Sequence, residues 1–138
     1  MSQPLVGNWT LVSYITENPD GSRGKPYGQA VGRLSYDEHG HMSGQVMRPG
    51  RSEVAPGEWG AQQVRSAYAG YIAYFGTYDV NASNDIVVHH VQGALNPSWV
   101  GGDQVRRMRF DGELLILSTE VAKAGALVTH RLTWRKLP

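Results

Sequence analysis

The chain has 138 residues and a formal charge of +1, with no cysteine. So small a charge supplies no electrostatic footprint for nucleic acid, and the missing thiols exclude disulfide frameworks, thiolate metal sites and cysteine nucleophiles. The length suits one domain, residues 1–138, with a single core. Seventeen glycines and seven prolines spread along it favour many short strands joined by tight turns. The first residues, MSQPLVGNWT, have neither a basic nor an apolar leader region, and no apolar run is long enough to span a bilayer, so a soluble cytoplasmic protein is expected.

In chain order, Gly7 to Thr16 is rich in β-branched and aromatic residues and ends at Asn18-Pro19-Asp20-Gly21, which reads as a strand and turn. A polar loop then runs to about Ala30, either lying over a barrel mouth or moving as an ordinary surface loop. Val31–Tyr36 and His41–Arg48 form a hairpin around Asp37-Glu38-His39-Gly40; Met42, Gly44 and Val46 are expected to face inward, His39 and His41 solvent. Past Pro49-Gly50 and Pro56-Gly57 the period changes. Val64, Tyr68, Tyr71 and Phe75 recur at helical spacing, which predicts a short helix over roughly 60–72 able to plug a barrel end, its aromatic stripe packed in the core.

The remainder reads as strands at Tyr74–Asn81, Ile86–Leu95, Gln104–Phe110, Glu113–Glu120 and Leu127–Leu137, with Asp111-Gly112 as the strongest hairpin signal. Eight antiparallel strands with short links predict an all-β, up-and-down barrel able to hold one small ligand, with one helix between the third and fourth strands.

Gly7-Asn8-Trp9 matches the G-x-W signature of the lipocalin (calycin) superfamily. Tyr27-Gly28, Met47 to Arg51, Tyr71 to Tyr78, His89-His90-Val91, Trp99-Val100-Gly101 and Asp103 to Arg107 together resemble a small, largely uncharacterised bacterial and fungal group of lipocalin-like domains, nearly end to end. The resemblance implies a lipocalin-like barrel with a pocket, without naming a reaction. It also implies a basic residue of the last strand over the tryptophan, with Arg135 as the candidate and Lys136 as the alternative. The position of the helix departs from secreted lipocalins, where it follows the barrel.

Alternation decides which side chains can reach a lumen. His89 and His90 cannot both point inward. A dry lumen would take His89 with Val87 and Val91; a polar one would take His90, whose neighbour Gln92 is a natural ligand partner, and this second face is preferred. On the next strand Gln104, Arg106, Met108 and Phe110 share the inner face, while Val105, Arg107 and Arg109 describe a solvated one. A buried guanidinium is costly unless an anion satisfies it, which leaves an ion pair with Asp79 or Asp103, a place at the rim, or a ligand anion. Val128, His130, Leu132 and Trp134 form the inner face of the last strand.

The expected ligand-binding set is therefore Tyr36, Met42, Tyr74, Tyr78, His90, Gln92, Trp99, Gln104, Arg106, Met108 and His130, suited to an amphipathic or apolar molecule such as an aromatic or polyketide-like acid. The alternative is a small cyclase or isomerase of secondary metabolism. There His90 or His89 would act as general acid or base, with Arg106 or a tyrosine stabilising an oxyanion. No metal-ligand spacing, nucleotide loop or serine-hydrolase elbow is present, so neither metal nor cofactor is expected. Met47 to Arg51 could present donors to an anion, or simply turn the chain. The expected partner is a small molecule, with no nucleic acid and no membrane, in a monomer or homodimer; Trp59 and Trp99, both in loops, could anchor a dimer or cover the pocket mouth.

Overall fold

The computed structural model describes residues 4–138. Nine strands form one antiparallel sheet: β1 (Gly7–Glu17), β2 (Arg23–Gly24), β3 (Val31–Tyr36), β4 (His41–Met47), β5 (Tyr71–Val80), β6 (Ile86–Ala94), β7 (Asp103–Asp111), β8 (Leu114–Lys123) and β9 (Ala126–Lys136). The two-residue β2, which the sequence did not signal, only pairs with the end of β1. The other eight run in sequence order and close through β1–β9 pairing, an up-and-down barrel. Closure leaves no long exposed sheet edge and encloses an interior. Among the described residues no helix is long and apolar enough to cross a membrane.

Turn chemistry sets the register of the later hairpins. Gly112, at φ +60, opens the two-residue turn between β7 and β8. Between β8 and β9, Ala124 at φ +51 and Gly125 at φ +81 supply the two positive φ angles that match the twist of paired strands. β8 therefore runs on past the expected Glu120 to Lys123 and β9 begins one residue early, at Ala126, the β8–β9 connection being reduced to these two residues.

One end of the barrel is a packed floor. Leu5, Trp9, Leu115 and Trp134 are all almost wholly buried there, and the Trp9 and Phe110 rings lie 6.4 Å apart. Trp9 donates its indole N–H to the Leu5 carbonyl at 2.9 Å. The basic residue over its ring is Lys136, whose Nζ lies 5.4 Å from the ring centroid and donates to the Pro4 carbonyl at 3.3 Å. Arg135, the preferred candidate from sequence, is exposed instead. Parity explains the correction: Trp134 points inward, so Arg135 points out and Lys136 returns to the inner side. Gly7 belongs to the same arrangement. At φ +141, any Cβ it carried would sit 2.5 Å from Lys136 Cε.

The helix α1 (Ala61–Ala69) lies between β4 and β5 as expected, and the Gln63 side chain accepts from the Gly60 N–H at 3.1 Å to close its first turn. It buries no residue and leaves Val64 and Tyr68 exposed, so it neither plugs the barrel nor packs an aromatic stripe into the core. The apparent stripe crosses a boundary. The chain turns at Gly70, and Tyr71 and Phe75 belong to β5, where successive residues alternate faces and Phe75 points to solvent. The Met47 to Arg51 piece is structural: Arg48 N–H donates to the Gly70 carbonyl at 2.8 Å, while Arg51 donates to the Ala67 carbonyl at 3.0 Å and lies over the Tyr71 ring.

Candidate ligand cavity

Above the floor the barrel encloses a cavity of about 350 Å³. Leu34, Val46, Ile72, Leu117, Leu132 and Trp134 make most of its wall apolar; Tyr14, Tyr74, His89, Gln104, Arg106, Thr119 and His130 add polar groups, and Trp99 closes one side. Ile72 and Trp99 also line an outer groove with Tyr27, Tyr68 and Leu95, so the two spaces share these side chains as a common wall. The loop before β3 returns to this region, with Tyr27 packed edge-on against Tyr14 at 5.6 Å.

Of the eleven side chains expected to bind a ligand, Tyr74, Trp99, Gln104, Arg106 and His130 line the cavity. Tyr36, Met42 and Met108 are buried in the surrounding core, and Tyr78 packs on Tyr36 while donating to the Asp37 carbonyl at 2.6 Å. His90 and Gln92 face outward, which corrects the preferred orientation of β6. His89, only 2% exposed, is the inward residue. The apolar pair Val87 and Val91 flanks it on the same face and outweighs the gain from placing Gln92 inside. Gln92 is also the extra residue of a bulge, where Phe75 pairs with Gly93 and Gly76 with Val91. Trp59 is exposed and stands apart from the cavity.

Tyr14 went unnoticed in the sequence for a related reason. Counting inward residues from Trp9 by twos gives Leu11 and Ser13, which would put Tyr14 outside. A bulge between Leu11 and Ser13 turns Val12 to solvent and Tyr14 into the lumen. Nothing in the local composition marks it.

His89 sits between two phenols: Tyr36 Oη lies 2.6 Å from Nε2 and Tyr74 Oη 2.6 Å from Nδ1. Burial first, then the charges of Arg106 and His90, hold its pKa down to about 3, so the ring is neutral and has one donor and one acceptor nitrogen. Tyr36 is fully buried, and His89 is its one hydrogen-bond partner among the described residues. Its O–H must therefore donate to Nε2, because a buried hydroxyl proton without an acceptor is costly. Nδ1 then carries the imidazole proton and donates to Tyr74, whose own O–H is left for the cavity.

A second pair repeats the pattern. Tyr14 Oη lies 2.7 Å from His130 Nδ1; burial raises the Tyr14 pKa to about 12, and burial with the Arg106 charge lowers that of His130. Where Tyr14 donates, as Tyr36 does, His130 carries its proton on Nε2.

Arg106 bonds only neutral partners: Nη1 donates to the Val105 carbonyl at 2.9 Å and Nη2 to Gln104 Oε1 at 2.8 Å. Among the described residues it forms no ion pair. The two aspartates considered as its partners are engaged on the outer surface, where His90 Nε2 meets Asp79 at 2.7 Å and His90 Nδ1 meets Asp103 at 2.8 Å. Those hydrogen bonds, Asp103 first, raise the His90 pKa. The Trp134 indole N–H is buried and has no partner among the described residues.

The two histidines considered as general acid or base are poorly placed for it. His89 has both nitrogens occupied and a strongly depressed pKa, and His90 does not reach the cavity.

The 4'-hydroxy-3'-methoxypropiophenone carrier protein ppsC of Aspergillus oryzae is 34% identical over 108 residues, spanning 70% of this chain and 97% of that protein. A solved structure of the siderocalin Ex-FABP, described as functioning through dual ligand specificities, is 12% identical with a TM-score of 0.35 over 97% of this chain and 71% of its own. The model of the lipocalin-like domain matches residues 6–137, and the chain belongs to that family.

Proposed function

We propose that this protein binds and carries a small, largely apolar aromatic molecule in its barrel, with an acceptor oxygen of the ligand placed at Arg106 and Tyr74. The observation that carries the reading is a guanidinium without a carboxylate partner on the wall of an otherwise apolar cavity of about 350 Å³. That volume lies at the lower end of small-molecule sites, which span roughly 300–1,000 Å³, and it suits a substituted single ring better than a long chain. The relative named as carrier of an aryl ketone supports the same ligand class. Carriage fits better than turnover because neither of the two histidines considered as general acid or base, His89 and His90, is placed to exchange a proton with a ligand.

Trp99 and Trp134 both line the cavity, so intrinsic fluorescence reports occupancy. Titration with 4'-hydroxy-3'-methoxypropiophenone should give saturable quenching, and the compound should be recovered chemically unchanged. Leu132→Trp, which fills the cavity, should abolish the response in a protein that still melts cooperatively. Quenching that persists in the filled variant, or the absence of saturable binding for this and related aryl ketones, overturns the proposal.

A further inference from the structure

The polar groups beside Arg106 are spent as acceptors and open as donors, while Tyr14 Oη and the Thr119 hydroxyl elsewhere on the wall can still accept. Tyr74 receives the His89 N–H and has its own O–H to give. Gln104 Oε1 is taken by Arg106, which leaves the Gln104 amide hydrogens. Arg106 uses two of its five N–H groups on neutral oxygens. With Tyr14 donating to it, His130 retains Nε2–H. Among the described lining residues none is a carboxylate. Beside Arg106 a ligand hydroxyl would find little to donate to, whereas an oxygen without a proton meets several donors and a formal positive charge.

We infer that the lumen selects the deprotonated form of an ionisable aromatic ligand, a phenolate or carboxylate, and receives its oxyanion between Arg106 and Tyr74. The inference rests on the carrier reading above and sharpens it: the ligand's proton leaves to solvent on binding. Neither wall histidine is set to take it: both nitrogens of His89 are already bonded, and His130, with Nδ1 held by Tyr14, carries its proton on Nε2 when Tyr14 donates. Charge-assisted hydrogen bonds to an oxyanion are about twice as strong as neutral ones, which is the source of the selectivity. His89 and Tyr36 act here as positioning residues, fixing Tyr74 as a donor.

The pH dependence of binding reads this out. The titratable groups facing the site are Tyr14 from β1, Tyr74 from β5, His89 from β6, Arg106 from β7 and His130 from β9, with Tyr36 of β3 behind His89. Burial moves the tyrosines up and the histidines down, so over mildly acidic to mildly alkaline pH the wall keeps its charge. His90, raised but outside, is controlled by His90→Gln.

The probes are 4'-hydroxy-3'-methoxypropiophenone and its 4'-O-methyl ether, titrated across the pH at which the free phenol ionises. Below that pH the phenol's affinity should rise about tenfold per pH unit and then level off. The bound phenol should show the red-shifted absorbance of the phenolate at pH values where the free compound does not. The ether should bind at least tenfold more weakly than the phenol at the plateau, with no pH slope, and Arg106→Gln should remove the phenol's advantage. Equal, pH-independent binding of phenol and ether overturns the oxyanion inference and leaves the carrier reading standing. Failure of both probes to bind the folded protein overturns both. The phenol–ether comparison needs no variant, so it decides the matter even where Arg106→Gln folds poorly.

Discussion

His89 and His90 are neighbours on one strand and live in opposite electrostatic worlds. The inner ring lies between two phenols, neutral down to about pH 3, its proton direction set by a buried hydroxyl. The outer ring lies between two aspartates in solvent and holds its proton more tightly than a free imidazole. One peptide unit separates a group that organises the cavity from one that decorates the surface. The inner wall converts burial into fixed dipoles; the outer wall offers ion pairs that water largely screens.

The largest difference between the two should appear in stability. His89→Ala removes a packed ring and strands the buried Tyr36 hydroxyl, so it should cost about 3–5 kcal/mol by denaturant unfolding. His90→Ala should cost at most about 1 kcal/mol. Equal costs would break the comparison.

Acidification should separate them next. The folded pKa of His89 is depressed, so between about 3 and the unfolded value near 6.5 the unfolded state binds the extra proton, and stability falls as pH falls through that window by up to about 1.4 kcal/mol per unit. His90, whose folded pKa is raised, contributes with the opposite sign, its stabilisation being lost as pH rises. Chemical melts from pH 7 to 4 should show the acid loss in the parent and His90→Gln, and a shallower one in His89→Gln.

Arg106→Gln tests the inner wall as a binding surface rather than a scaffold. It should weaken binding of an acidic aryl ketone by about 10–100-fold, the worth of a charged hydrogen bond, while leaving unfolding nearly unchanged or slightly stabilised, since no carboxylate partner is orphaned. A large loss of stability would show that the guanidinium is structural. Lys136→Met, at the floor, should give the smallest effect, about 0.5–1 kcal/mol of stability from the lost cation over Trp9. Ligand affinity should not follow.

Much of the fold was legible in the residues. The alternation of Val31 to Met47, the Gly112 turn and the Gly7-Asn8-Trp9 start led to a closed antiparallel barrel with a helix after the third long strand. The inward side of β7 was legible too, because Val105, Arg107 and Arg109 read as a solvated face and left Gln104, Arg106 and Met108 for the interior. The site was only partly legible. Tyr14 depends on a bulge, which inserts one residue into a pairing without a local compositional mark, and the outward turn of His90 and Gln92 follows from which face of β6 the barrel buries. The helical stripe through Phe75 failed because a 3.6-residue period was carried past Gly70 into a strand.

What the sequence by itself determined is the alternating pattern that makes a sheet curl around an apolar interior, since period-two burial is a property of each strand alone. Which histidine enters that interior, which basic residue covers Trp9, and which phenol donates to which imidazole were decided only by the assembled barrel. Those outcomes depend on cross-strand register and on the complete set of hydrogen-bond partners around each buried group, and both come into being when distant strands meet.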